Sequence, residues 1–72
     1  MAQYFFDVTN GASTFKDATG ASFASLEDAR AHAVLIASEL AADGHHYMGF
    51  EVVVADRHGH ERVRVAVSRP SD

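Results

Sequence analysis

Phe5-Phe6-Asp7-Val8-Thr9-Asn10-Gly11-Ala12-Ser13-Thr14-Phe15 is an alternating segment folded back on itself by an Asn-Gly pair. Tyr4, Phe6 and Val8 point to one side, and Phe5, Asp7 and Thr9 to the other. Period two with aromatic and β-branched residues reads as a strand. Asn and Gly both tolerate positive φ, which makes Asn10-Gly11 the strongest two-residue hairpin signal. A two-residue loop sets Thr9 opposite Ala12, Val8 opposite Ser13, Asp7 opposite Thr14 and Phe6 opposite Phe15. Both phenylalanines then share the inner face. A three-residue loop turns Phe15 outward, so the hydrophobic pattern selects the shorter loop.

The same reading applies near the other end of the chain. Phe50, Val52 and Val54 point inward, while Glu51, Val53 and Ala55 point outward. Around Arg57-His58-Gly59-His60, a two- or four-residue loop sets Val54 opposite Val63, Val52 opposite Val65 and Phe50 opposite Val67. A three-residue loop would set Val54 against Arg62 and is rejected. The chosen register also opposes Asp56 and Glu61, two like charges.

Between the hairpins lies one helix. Asp17-Ala18-Thr19-Gly20 is a turn, with Asp at its first position and Gly at its last. Phe23 is a lone aromatic that folds over the core edge. Ser25 caps the helix, Asp28 sits at the third helical position, and Glu27 and Asp28 complement the helix dipole. The helix runs from Leu26 to about Asp43, with Gly44 as its left-handed terminator. Leu26, Ala29, Ala33, Ile36, Ala37 and Leu40 make its inward stripe. Glu27, Asp28, His32, Glu39 and Asp43 lie on or beside the outer face, with Leu35 among them. His45-His46-Tyr47-Met48-Gly49 is a connector, and Arg69-Pro70-Ser71-Asp72 is a frayed tail.

The implied fold is α+β, a single domain over residues 1–72 in the order β-β-α-β-β. A four-stranded, mainly antiparallel sheet in the order 2-1-3-4 carries the helix on one face. Its other face is uncovered, and its fourth strand is an open edge.

The chain has 72 residues, so it buries only about 60% of its unfolded surface. It has no cysteine, hence no disulfide or thiolate metal site. A net charge of −4 argues against general binding to nucleic acid or anionic membranes. No stretch reads as a secretory signal or a membrane span, and the cytoplasm is the expected compartment.

The histidines invite a metal reading, but His45-His46 and His58-Gly59-His60 lack zinc-site spacing, so no metal is assigned. Asp7 could act as a base or anchor a cation, yet no catalytic partner accompanies it, so no catalytic residue is assigned. The glycines fit neither the dinucleotide fingerprint nor the P-loop, and no cofactor is implied. The most suggestive set is Phe5, Val53, Arg62 and Arg64 on the uncovered face, because aromatic residues with arginine favour protein interfaces. The plainer alternative is a half-solvated sheet with arginine stems lying over valines.

Tyr4-Phe5-Phe6-Asp7-Val8, Asn10-Gly11, Asp17-x-x-Gly20, Leu26-Glu27-Asp28-Ala29-Arg30-Ala31-His32-Ala33 and Glu51-Val52-Val53-Val54-Ala55-Asp56-x-x-Gly59 together resemble a family of small bacterial domains of unknown function. The resemblance implies a small stand-alone bacterial cytoplasmic protein. It carries no activity, substrate or cofactor, and so no functional residue.

The residues therefore lead to a non-enzymatic interaction module. Its partner is a second copy of the chain or an unidentified protein, met through the open edge or the uncovered face. The alternative is single-stranded nucleic-acid or regulatory binding through the arginine strip. Nucleic acid is disfavoured by the net negative charge, and a membrane is not a partner.

Overall fold

The computed structural model of the chain describes residues 1–43 and 46–67. Its elements are β1 (Ala2–Thr9), β2 (Thr14–Phe15), β3 (Ala21–Phe23), α1 (Leu26–Ala42), β4 (Glu51–Asp56) and β5 (Glu61–Ala66). The strands lie in the order β2-β1-β4-β5, and every pairing is antiparallel. The fold is α+β, with one helix among the described residues, and the expected order of the hairpin strands holds. The addition is β3, which pairs with β1 beyond the end of β2.

The first hairpin has a different register from the one expected. Thr9 lies opposite Thr14 and Val8 opposite Phe15, so the loop is Asn10 to Ser13. Asn10 Oδ1 accepts from the Ala12 and Ser13 N–H groups at 2.9 and 2.7 Å. The Thr9 hydroxyl bonds the Thr14 hydroxyl at 2.8 Å and accepts from the Gly11 N–H. These side-chain bonds wrap the longer loop. The slip is by two residues, so each side chain keeps its face. Phe15 remains on the side of Val8, stacks on Phe50 and is 57% exposed.

In the second hairpin Val54 faces Val63 and Val52 faces Val65, as expected. The Val67 N–H donates to the Phe50 carbonyl, which extends that register. Glu61 lies opposite Ala55 instead of Asp56, because a bulge shifts the ladder between Val54 and Ala55. The bulge releases the opposed like charges, and the Asp56 carboxylate turns to the loop N–H groups of His58 and His60.

Phe23 is part of β3 rather than a lone aromatic, and the cause lies in Asp17. The Asp17 Oδ1 atom accepts from the N–H groups of Thr19 and Gly20, while Oδ2 accepts from the Phe6 N–H at 3.2 Å. The carboxylate therefore fills the gap between β2 and β3 on the edge of β1. Three backbone donors hold the Asp17 carboxyl below its ordinary value, Gly20 foremost, while burial opposes them. Gly20 has φ of 72°, and a Cβ there would lie 2.8 Å from the Phe5 ring and 2.9 Å from the Tyr4 carbonyl. Only glycine allows the chain to turn this close to β1.

The helix starts at Ser25, whose hydroxyl accepts from the Asp28 N–H. Ala29, Ala33, Ala37 and Ala41 are its buried residues, and Leu26, Ile36 and Leu40 flank them. This four-residue ridge of small side chains lets the helix lie close on Val52 and Val54, both fully buried. His32, expected on or beside the outer face, is half-buried at the flank of the helix. Its ring meets Phe6 edge-on at 5.0 Å and Phe23 at 5.3 Å, with Tyr4 beyond. Asp43 closes the helix by donating to the Leu40 carbonyl. The terminator role of Gly44, the place of His45 and the tail at Arg69–Asp72 lie outside the described residues.

Candidate interaction surface

The uncovered face is built by alternation. Phe5 and Asp7 of β1 sit opposite Ala55 and Val53 of β4, and Val53 sits opposite Arg64 of β5. The sheet therefore brings Val53 and Arg64 together with Asp7 in line on β1, while Phe5 lies two residues along, opposite Ala55. Arg62 stands at the bulge.

These side chains are largely engaged within the molecule. Arg64 lies between two carboxylates, with Nε 2.6 Å from Glu61 and Nη1 2.5 Å from Glu51. The bonds to Glu61 and then Glu51 push its pKa above its already high value. The arginine stem and its partners roof Val53, which is 8% exposed. Arg62 pairs with Asp56 at 3.6 Å. Phe5 is half-buried, its edge against the backbone turn at Gly20. The arginine strip is thus matched by acids of the same chain, which removes the surplus positive charge that phosphate binding requires.

The acids have structural duties as well. Asp7 Oδ1 accepts from the Asp17 N–H at 2.9 Å, and its other oxygen faces Lys16 at 3.6 Å. The Asp56 carboxyl is held below its ordinary value by the His60 N–H first, then by the His58 N–H and the charges of both histidines, against a burial contribution of opposite sign. A shallow cavity of about 190 Å³ opens beside Phe5, with Asp7, Lys16, Ala55 and Arg57 on its walls. Among the described residues, no group of three or more His, Cys, Asp or Glu side chains stands close enough to hold a metal. His58 and His60 have ring centres 6.1 Å apart, and His60 leans toward Asp56.

What alternation could not reveal is how much of this face is already used. Placing Arg64 beside Val53 needs only the register of the second hairpin. The Glu61 contact depends on the bulge, and the cover over Phe5 depends on the turn at Gly20.

The edge of β5 differs from the face. Among the described residues, Glu61–Ala66 pairs with β4 on one side and with no strand on the other. Val63 and Val65 point toward the helix layer, yet both remain half-buried. The opposite margin of the sheet has no comparable length, since β1 is lined there by β2, the Asp17 carboxylate and β3 in turn.

No helix of the described residues is long and apolar enough to cross a membrane. A family model described as "Domain of unknown function (DUF6894)" matches residues 3–68. No curated protein and no solved structure matches the chain.

Proposed function

The chain belongs to that family of domains of unknown function, and on this premise we propose that it serves as a non-enzymatic interaction module that pairs with a second copy of itself along β5. The open edge of β5, with its half-buried Val63 and Val65, carries this reading. Such an edge offers unpaired backbone groups and an apolar layer that stops short of full cover. A domain this small gains from sharing a core with a second copy. Between the two surfaces expected from the sequence, the edge is favoured over the face, because Val53 is roofed and Arg62 and Arg64 are paired with acids.

Light scattering across a wide concentration range tests the proposal. The expected result is a mass that rises from one chain to two. In an Ala66→Pro variant the rise should vanish while the circular dichroism spectrum stays unchanged. The Ala66 N–H points away from β4, so proline there removes an edge donor and leaves the β4–β5 ladder intact. A strict monomer at every concentration would overturn the proposal.

A further inference from the structure

The geometry points to one register for that pairing, a two-fold axis through Val65 with both helices on the same face of a continuous sheet. The inference rests on the proposed pairing along β5 and goes beyond it by fixing which residues meet. It follows from hydrogen-bond parity and from charge.

Parity comes first. The Val67 N–H donates to the Phe50 carbonyl at 2.9 Å, so the backbone groups of Val67 point toward β4. Alternation then points those of Val63 and Val65 toward β4 as well, and those of Arg64 and Ala66 toward the open edge. The bulge lies before Val63 and does not disturb this run. In an antiparallel pair, outward-pointing residues must oppose outward-pointing residues, because only they can exchange hydrogen bonds. Registers that set an even-numbered residue against an odd-numbered one are thereby excluded. The axis must pass through a residue, which keeps each side chain on its own face and sets the two helices on the same side.

Charge then separates the remaining registers. An axis at Arg62 opposes the Arg62 side chains of the two copies. At Val63 it opposes Arg62 to Arg64, and at Arg64 it opposes the two Arg64 side chains. Like charges directly opposed across strands are unfavourable. An axis at Ala66 opposes Val65 to Val67 but gives Val63 no valine partner, since position 69 is an arginine. The axis at Val65 opposes Arg64 to Ala66, Val63 to Val67 and Val65 to Val65. All the valine contacts then fall on the helix side, where Val63 and Val65 are half-buried in the single chain. On the other face each Arg64 stays between its own Glu51 and Glu61.

The chain has no cysteine, so single-cysteine variants report the register directly. The two Val65 positions form a non-hydrogen-bonded pair, the closest approach of side chains across antiparallel strands and the one suited to a disulfide. Under mild oxidation Val65→Cys should form the linked dimer at least about ten-fold faster than Val63→Cys or Arg64→Cys. Fastest linkage at Arg64→Cys or at Val63→Cys would move the axis and overturn this register while leaving self-association standing. A dimer by light scattering with no rapid linkage at any of the three would place the contact elsewhere. Monomeric behaviour throughout would overturn the underlying pairing. Hydrogen exchange of the unmodified chain gives a second reading independent of any variant's folding. The Arg64 and Ala66 amides should gain protection as concentration rises, and unchanged exchange in a dimeric sample would overturn the inference.

Discussion

Asp17 shows how much one side chain can organise. Its carboxylate accepts from Phe6, Thr19 and Gly20, joining a turn to the middle of β1. In Asp17→Asn the amide oxygen can still serve Thr19 and Gly20, but its N–H₂ group would meet the Phe6 N–H donor against donor. A loss of about 1.5 kcal/mol is expected from urea unfolding near neutral pH. The acid limb carries a second signature. The folded Asp17 and Asp56 carboxyls titrate below the ordinary value of 3.8, so their contribution is complete above that value and lost as pH falls through the folded values. The difference in stability between Asp17→Asn and the parent chain should therefore narrow as pH drops below about 4. A constant difference across that range would show that the ionised form of Asp17 is not what holds the turn. The packing of His32 was not legible from sequence at the same scale. Its neighbours Phe6 and Phe23 come from two strands, and a helical wheel contains neither.

Among the elements, α1 is the most exacting in its packing. Ala29, Ala33, Ala37 and Ala41 let it lie on β4, where Val52 and Val54 are fully buried. Enlarging Ala33, which is 0% exposed, forces the helix away from the sheet. Ala33→Leu should cost about 1–3 kcal/mol in denaturant unfolding, although leucine is a good helix former. A stabilised Ala33→Leu protein would refute the close-packed ridge. The strands show where sequence reading succeeds and where it stops. Alternation assigned each hairpin residue to its face, because a strand's side chains repeat every two residues. For the same reason alternation cannot distinguish the two-residue loop from the four-residue loop, and Asn10 decided between them through its own hydrogen bonds. Ala21-Ser22-Phe23 gave no strand signal at all. It is too short to alternate, and it is held by a turn whose anchoring atom belongs to Asp17. The open edge of β5 was legible, since it follows from strand order alone, whereas the pairing of both arginines with acids was not.

At the scale of the whole molecule, thermal unfolding provides a test that needs no assumption about register. Binding between folded chains stabilises them by mass action, so the melting temperature should rise with protein concentration. In Ala66→Pro it should stay constant. A concentration-independent melting temperature in the parent chain would count against self-association, whatever the cross-linking pattern. The balance of charges fits the same picture, because the arginines of β5 are matched within each chain and leave no strong field to draw in a polyanion.

The divided edge of β1 has its own consequence for assembly. A sheet with two long free margins can add chains indefinitely, which is the route to fibres. Here one margin is broken into a two-residue strand, a carboxylate and a three-residue strand. No incoming strand finds an uninterrupted row of donors and acceptors there. Under the proposed pairing growth would occur at β5 once, because among the described residues that is the one long edge a pair would use. The three-residue strand β3, which alternation does not reveal, would thereby help keep such an assembly finite.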